Sequence, residues 1–324
     1  MKLNLFSKAL GMGLLALLCG GSQAQAKFPE GAIKIIVPFS AGGGVDGAAR
    51  LIGKQLQNQL GVPVIIDNRA GANGTIGGKV VQTAPADGQT LLFSASTHVL
   101  AKNVMSAVSY DPLTDFSPVA RVGEAPLLMV ITPTLAPKNL KEVVAAAKAE
   151  PDKWNASLPA LGAASHLATL LFAKQAGLKL QTITYKGTAP ALTDVAGGHS
   201  QILMDSIVSI MPMAKSGKVR PIAVTSSKRS SIAPDIPTAV ESGLPGLVAV
   251  TWYGIWAPKG TPQDRVQFLN HAVNKAVAEL LRSGQFANLG VEPVMESVEQ
   301  FNKYIHGYVH ESADLLKGAG FKPE

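Results

Sequence analysis

Apolar positions in this chain recur with two periods, one of strands and one of helices, and the two alternate. Ile33, Ile35, Ile36 and Val37 form a short β-branched run that stops at Pro38, too brief for a helix, and predict a buried strand. A glycine-rich turn follows. Beyond it, Val45, Ala49, Ile52, Leu56 and Leu60 fall at helical spacing, with Asp46 as the expected N-cap and Gly61 as the closing residue. Further along, a strand is expected over Val62 to Ile66, a second glycine-rich turn over Gly71 to Gly78, a short helix over Lys79 to Ala84 and a strand over Thr90 to Ser94. Pro126 to Thr132 is apolar throughout and predicts a strand crossing into a second lobe, and Leu140, Val143, Val144 and Ala147 share one helical face. A loop of small residues, Ser157 to His166, leads into a helix over Leu167 to Gln175 that Gly177 closes, with Ser165 as the expected cap. The alternation continues through a strand at Gln181 to Tyr185, a turn at Lys186 to Thr188, a helix at Pro190 to Ala196, and strands at Gln201 to Met204 and Pro221 to Thr225. Val248 to Trp256 is the return crossing. Two amphipathic helices finish the chain: one carries Val266, Leu269, Val273, Val277 and Leu280, and the other opens with a capping box of Ser297 and Gln300 and buries Phe301, Tyr304, Ile305 and Tyr308.

Strands and helices joined by short links imply an α/β fold with parallel sheets, in which ligands sit at the carboxyl ends of the strands. The stretch from Ile33 to Arg50 is the clearest case, because a strand, a glycine loop and a helix start leave backbone N–H groups and a helix dipole that favour an anion. This turn is expected to hold a carboxylate. The small-residue loop before Leu167 makes a second site of the same kind. Ser94, Ser96, Thr97 and His98 follow the third strand, where their polar groups can face a ligand or simply form a loop. Asp205 ends a strand at the expected cleft edge; it either accepts a hydrogen bond from a ligand amine or hydroxyl, or caps the helix starting near Ile207.

Composition narrows the class. The 324 residues are 47% hydrophobic and 16% charged, enough to bury two cores. Lys2 and Lys8, an apolar core around Leu14 to Leu18 and the small-x-small triplet Ala24, Gln25 and Ala26 read as an export signal cleaved after Ala26, residues 1–26, which places the mature chain in the periplasm. A lipoprotein is the rival reading, since Gly20 follows Cys19, but Leu18 is bulky where a small residue is expected. Cleavage after Ala26 leaves no cysteine, so disulfides and thiol catalysis are excluded. The net charge of +7 drops to +5 once Lys2 and Lys8 are gone, and the remaining cations are scattered, which disfavours nucleic acid.

Chemical motifs are sparse. Gly42, Gly44 and Gly47 match G-x-G-x-x-G and Asp67 lies 20 residues on, but Pro38, Phe39, Ser40 and Ala41 separate strand from glycines, so a nucleotide-dependent oxidoreductase is a weak alternative. His306 and His310, beside Glu311, share a helix face without a third ligand, and are expected to face solvent. Ser165 and His166 are neighbours on a helix and do not face one another, and no G-x-S-x-G elbow occurs. The expectation is a binding protein with no catalytic residue, metal or cofactor.

The segments IVPFSAGGGVD, DNRAGANGTIG, ADGQTLLF, YDPLTDFSPV, YKGTAPALTDVAGG, DIPTAVESGLPG and WYGIWAPKGTP resemble the signatures of the Bug family, the periplasmic solute-binding proteins of tripartite tricarboxylate transporters. The resemblance covers nearly the whole mature chain. It implies a periplasmic-binding-protein type II fold, two α/β lobes with a central cleft, formed by residues 27–124 with 250–324 and by 125–249. It further implies a monomer that closes on a di-/tricarboxylate or an aromatic acid and delivers it to membrane permease subunits. The ligand-binding set it implies is Phe39, Ser40, Ala41, Gly42 and Gly43 on one side, Gly162, Ala163, Ser165 and His166 on the other, with Thr97 and Asp205 lining the rest. Ala160 and Ala163 stand where the family often has a glycine and a hydroxyl residue, which implies a more apolar pocket. A sensor that presents its closed form to a receptor is the alternative within the same fold.

Overall fold

The computed structural model describes residues 28–324. The export signal, its cleavage site and Cys19 lie outside those residues.

β1 (Ile33–Val37) is buried on nearly every residue because neighbours flank it on both sides, β2 (Val64–Asn68) and β3 (Thr90–Ala95), each parallel to it, with Ile35 opposite Ile66 and Leu91. α1 (Gly44–Leu60) and α2 (Thr75–Gln82) make the crossovers. α1 lays Ala48, Ala49, Ile52 and Leu56 on the sheet and ends at Gly61, whose φ of 68° lets its N–H reach back to the Gln57 carbonyl. α2 starts four residues earlier than the pattern predicts. Gly77 and Gly78 are helical, and they are glycines because a Cβ at Gly77 would meet Pro38 at 2.8 Å and one at Gly78 the Tyr110 hydroxyl at 2.1 Å. After the short α3 (Ala101–Val104) the chain enters β4 (Phe116–Ile131), 16 residues long.

The second lobe follows as α4 (Leu140–Ala149), β5 (Asn155–Leu158), α5 (Ala164–Ala176), β6 (Gln181–Thr184), α6 (Thr188–Gly197), β7 (Ile202–Ser206), α7 (Ile207–Lys215) and β8 (Arg220–Val224). β9 (Val250–Pro258) returns to the first lobe, and α8 (Gln263–Arg282), α9 (Gln285–Leu289), β10 (Glu292–Pro293) and α10 (Val298–Gly318) complete it. The strand order is β2-β1-β3-β9-β4-β7-β5-β6, with β8 and β10 also on β4.

The sheets are mixed, not parallel throughout. β9 runs antiparallel to both β3 and β4, and β4 antiparallel to β7 and β8, because β4 and β9 are the crossings between lobes and their directions follow the chain's passage out and back. β4 pairs β9 as far as Pro126 opposite Val250, then pairs β7 from Leu127 opposite Ser206. Thr225 ties the two crossings together at this point. Its N–H donates to the Leu127 carbonyl at 2.9 Å, its carbonyl accepts from Ala249 at 2.9 Å, and its hydroxyl accepts from the Leu127 N–H and donates to the Ala249 carbonyl.

α8 buries all five of its predicted apolar residues with Ile33, Ile35, Phe93 and Tyr253 in one core. A different cluster joins Trp252, Trp256, Phe301 and Ile305 to Leu100 and Val104, and also to Leu158, Leu161 and Leu167 around the start of α5. Apolar contact therefore binds the two lobes beside the cleft, and the predicted capping box seats α10 against it, with Ser297 and Gln300 bonded reciprocally.

Candidate ligand-binding cleft

The first wall is the turn between β1 and α1. Gly42 has a φ of 87°, and Gly43 precedes α1 in extended conformation with no side-chain cap, so the helix presents bare N–H groups. Not all of them are free. The Gly42 N–H donates to Asp46 at 2.9 Å and the Gly44 N–H to Ser209 Oγ at 3.0 Å, whereas Ser40, Ala41 and Gly43 donate to no acceptor among the described residues. Asp46 is therefore not the N-cap that its position suggests. It lies in the first turn and reaches back to hold the loop, with Arg50 Nε at 2.9 Å and Asn68 Nδ2 at 3.0 Å on its carboxylate. Burial pushes its carboxyl up, but the hydrogen bonds from Arg50, Gly42 and Asn68 outweigh burial and keep it below the ordinary value. Asn68 also donates to the Phe39 carbonyl at 3.0 Å, which fixes the outer half of the turn.

The second wall is the loop before α5. Ala163, not Ser165, is the N-cap, and it offers no side-chain bond. Ser165 sits fully buried inside the first turn with its hydroxyl unpartnered. Gly162 turns at φ 69° against Leu100 and Val104, and its N–H donates to His166 Nδ1 at 3.1 Å. The His166 ring packs edge-on against Phe321 at 5.0 Å, and burial lowers its pKa to about 4, so it is a neutral acceptor at neutral pH. These residues shape the loop from behind.

The turn before α6 makes a third wall. Gly187 donates to the Pro159 carbonyl at 2.9 Å and leaves Thr188 and Ala189 at the head of α6, while Pro190 has no N–H to satisfy. Thr188 Oγ1 donates to Asp205 on β7.

These walls enclose a cavity of about 470 Å³, the size of a small-molecule site. The structure brings Phe39, Ser40, Ala41, Gly42, Gly43, Thr97, Ala163 and Asp205 to its lining. Gly162, Ser165 and His166 do not line it; they are turned into the protein for the reasons given above. Of the polar residues after β3, only Thr97 reaches the cavity, while His98 is boxed by Phe116 at 4.6 Å and Trp256 at 4.8 Å. Burial takes the His98 pKa down to about 3. Apolar contacts come from Leu192 and Met213, and the charged lining residues are Lys186 and Asp205. Behind the Ser40, Ala160 and Gly187 turns a second space of about 620 Å³ opens, bridged by Asn73 Nδ2 donating to the Leu161 carbonyl at 2.8 Å.

Residues 48–321 match a family described as the tripartite tricarboxylate transporter family receptor. The chain belongs to this family. The receptor is 36% identical to the protein BugT of Bordetella pertussis over 91% of each chain. Among solved structures it is similar to that of R. palustris Rpa4515 with adipate, at 32% identity and a TM-score of 0.88 over 92% of this chain and 100% of the other. It is also similar to MatC (Rpa3494) from Rhodopseudomonas palustris with bound malate, at 31% identity and a TM-score of 0.82 over 89% of this chain and 100% of the other. It is similar as well to the structure of periplasmic binding protein BugD, at 34% identity and a TM-score of 0.85 over 92% of this chain and 100% of the other.

Sequence reasoning missed part of this receptor's cavity: Lys186, Thr188, Ala189, Pro190, Leu192, Thr193, Ser209, Met213 and Thr251. For the α6 wall the signal was present, a strand, then Gly187, then a helix start, the same grammar as the first turn. Thr251 and Met213 carried no such signal, since they are brought in by the crossing strand and by the far turn of a helix.

Proposed function

We propose that this receptor binds a carboxylated small molecule between its lobes and delivers it to the membrane subunits of a tripartite transporter, without catalysing a reaction. One observation carries the reading: the N-termini of α1, α5 and α6 converge from both lobes on one cavity. Unpaired N–H groups at Ser40, Ala41 and Gly43 face those at the heads of α5 and α6, so an anion between them is held by peptide dipoles and not by a fixed cation. Contacts made to both lobes exist together only when the cleft is closed, which is how a ligand biases closure. We place the lobes at 27–124 with 250–324 and at 125–249, a division two residues ahead of the point, between Pro126 and Leu127, where β4 exchanges β9 for β7. The relatives solved with adipate and with bound malate support the ligand class. No helix of the described residues is long and apolar enough to cross a membrane.

The test is a thermal-shift screen of residues 27–324 against aliphatic and aromatic mono-, di- and tricarboxylates, followed by calorimetry. A ligand that binds only the folded state at 100 times its Kd adds about 2.7 kcal/mol of stability. The expected result is stabilisation by one or more acids and by none of their amides. Stabilisation by amides alone, or by no acid at all, rejects the assignment.

A further inference from the structure

Asp205 is a misfit in a cavity built for anions. The carboxylate lies on β7 facing the same space as the three helix N-termini, and it is the one acidic side chain in the lining. Its Oδ2 accepts from Thr188 and the carboxylate also accepts from the Ser206 backbone N–H, while Oδ1 is not among the fully buried atoms and so keeps an edge open to the cavity. A space of 470 Å³ is about 10 Å across, and a second carboxylate held anywhere in it stands within strong repulsion of the first.

No ion pair among the described residues cancels that charge. Lys186, ahead of α6, also lines the cavity, but it is exposed and forms no ion pair with Asp205 among the described residues. Tyr253 on β9 is buried, shares a hydrogen bond of 3.2 Å with Ser206, and is held in its neutral form by burial. His166 on α5 is turned onto Phe321, and Asp46 on α1 is already paired with Arg50. Burial pushes the Asp205 carboxyl above its ordinary value in spite of the bonds from Thr188 and from the Ser206 backbone, and an anion bound beside it pushes in the same direction. The remaining lining offers hydroxyls from Thr97, Thr193, Ser209 and Thr251, none of which is a cation.

We propose that Asp205 sets specificity by demanding a hydrogen-bond donor: the receptor prefers carboxylates that carry a hydroxyl or ammonium group over plain dicarboxylates, and it takes up a proton when it binds a plain one. A hydroxyl or ammonium satisfies Oδ1 directly. A plain dicarboxylate brings only acceptors, so one proton must be shared between its far carboxyl and Asp205. The inference rests on the cleft being the carboxylate site.

The experiment compares succinate with malate and glutarate with glutamate, by calorimetry at pH 7 in two buffers of different ionisation enthalpy, on the wild type and on Asp205→Asn and Asp205→Ala. The neutral Asn retains the shape and both accepts and donates. In the wild type, the acid with the donor is expected to bind at least about tenfold tighter than its plain partner, a difference of about 1.4 kcal/mol. Binding of the plain acid is expected to consume a fraction of a proton that the buffer pair reveals. In Asp205→Asn the preference is expected to fall towards one, through tighter binding of the plain acid, and the proton uptake to vanish. The wild-type proton count needs no variant, so a poorly folded mutant leaves the test intact. Equal binding of plain and donor-bearing acids by the wild type, or an unchanged ratio in Asp205→Asn, overturns this proposal and leaves the carboxylate site standing. Failure of all four acids while another acid from the screen binds also overturns it; failure of every acid overturns both.

Discussion

At Gly44 the two lobes come within one methyl group of each other. A Cβ there would stand 3.0 Å from the Tyr253 hydroxyl, 3.2 Å from Ser209 Oγ and 3.4 Å from Ser206 Oγ, tighter than ordinary contact. Gly44→Ala is therefore expected to push the head of α1 off α7, lengthen the Gly44 to Ser209 hydrogen bond and weaken ligand binding by about tenfold or more, or about 1.4 kcal/mol. Calorimetry with the acid found in the screen reads this, and an affinity within about twofold of the wild type rejects the close approach. The residue scale also separates the glycines that sequence reading treated alike. Gly42 is needed for its φ of 87°, Gly44 for its closeness to the other lobe, and Gly162 turns the second-wall loop without lining the cavity itself.

At the scale of elements, β4 and β9 matter most, because they are the strands that carry the chain between lobes, and Thr225 pins both. Removing its hydroxyl leaves the Leu127 N–H and the Ala249 carbonyl short of one buried partner each. Thr225→Val keeps the volume and is expected to cost about 1–3 kcal/mol, read as a lower denaturant midpoint with an unchanged slope. A midpoint equal to the wild type removes this role from Thr225. The helices show the complementary point. α1, α5 and α6 have glycine or alanine N-caps with no side-chain bond, whereas α4 and α10, away from the cavity, are capped by Asn139 and Ser297. α2, α8 and α9 lack side-chain caps as well, so what sets α1, α5 and α6 apart is that their uncapped ends line the cavity, where an anion can take the cap's place.

The whole molecule contains two histidines whose burial makes its stability depend on pH. His98 is depressed to about 3 and His166 to about 4, both by loss of water around the ring, from an ordinary value of 6.5. Below 6.5 the unfolded chain binds protons that the folded one refuses, so stability must fall as the pH drops from about 6.5 towards 4. Each group contributes up to about 1.4 kcal/mol per pH unit in that window, so the pair removes about 4 kcal/mol between pH 7 and 5. Denaturant titrations of the wild type and of His98→Phe across that range check this. The variant keeps an aromatic ring against Phe116 and Trp256 and is expected to lose about half the slope. An identical slope in the two proteins places the titration elsewhere.

Short-range pattern was enough to determine much of this protein: the strand at Ile33, the helix closed by Gly61, the apolar faces of α8 and α10 and the uncapped helix start after the turn at Ser40 to Gly43 all follow from residues close together in sequence. Such features depend on backbone propensity and on the period of burial, which a sequence records directly. Only the tertiary structure decided which polar groups face the cavity. Ser165 and His166 have the chemistry of ligand contacts, but α5 begins at Ala164 and not at Leu167, and a shift of three residues rotates both side chains into the interlobe core. Asp46 is placed like a cap, yet Asn68 and Arg50, brought up by β2 and by the next helical turn, make it the brace of the loop. Lys186, Thr188, Ser209 and Thr251 meet Phe39 in one space because two crossing strands fold the second lobe over the first, and separations of that kind leave no periodic trace in the chain.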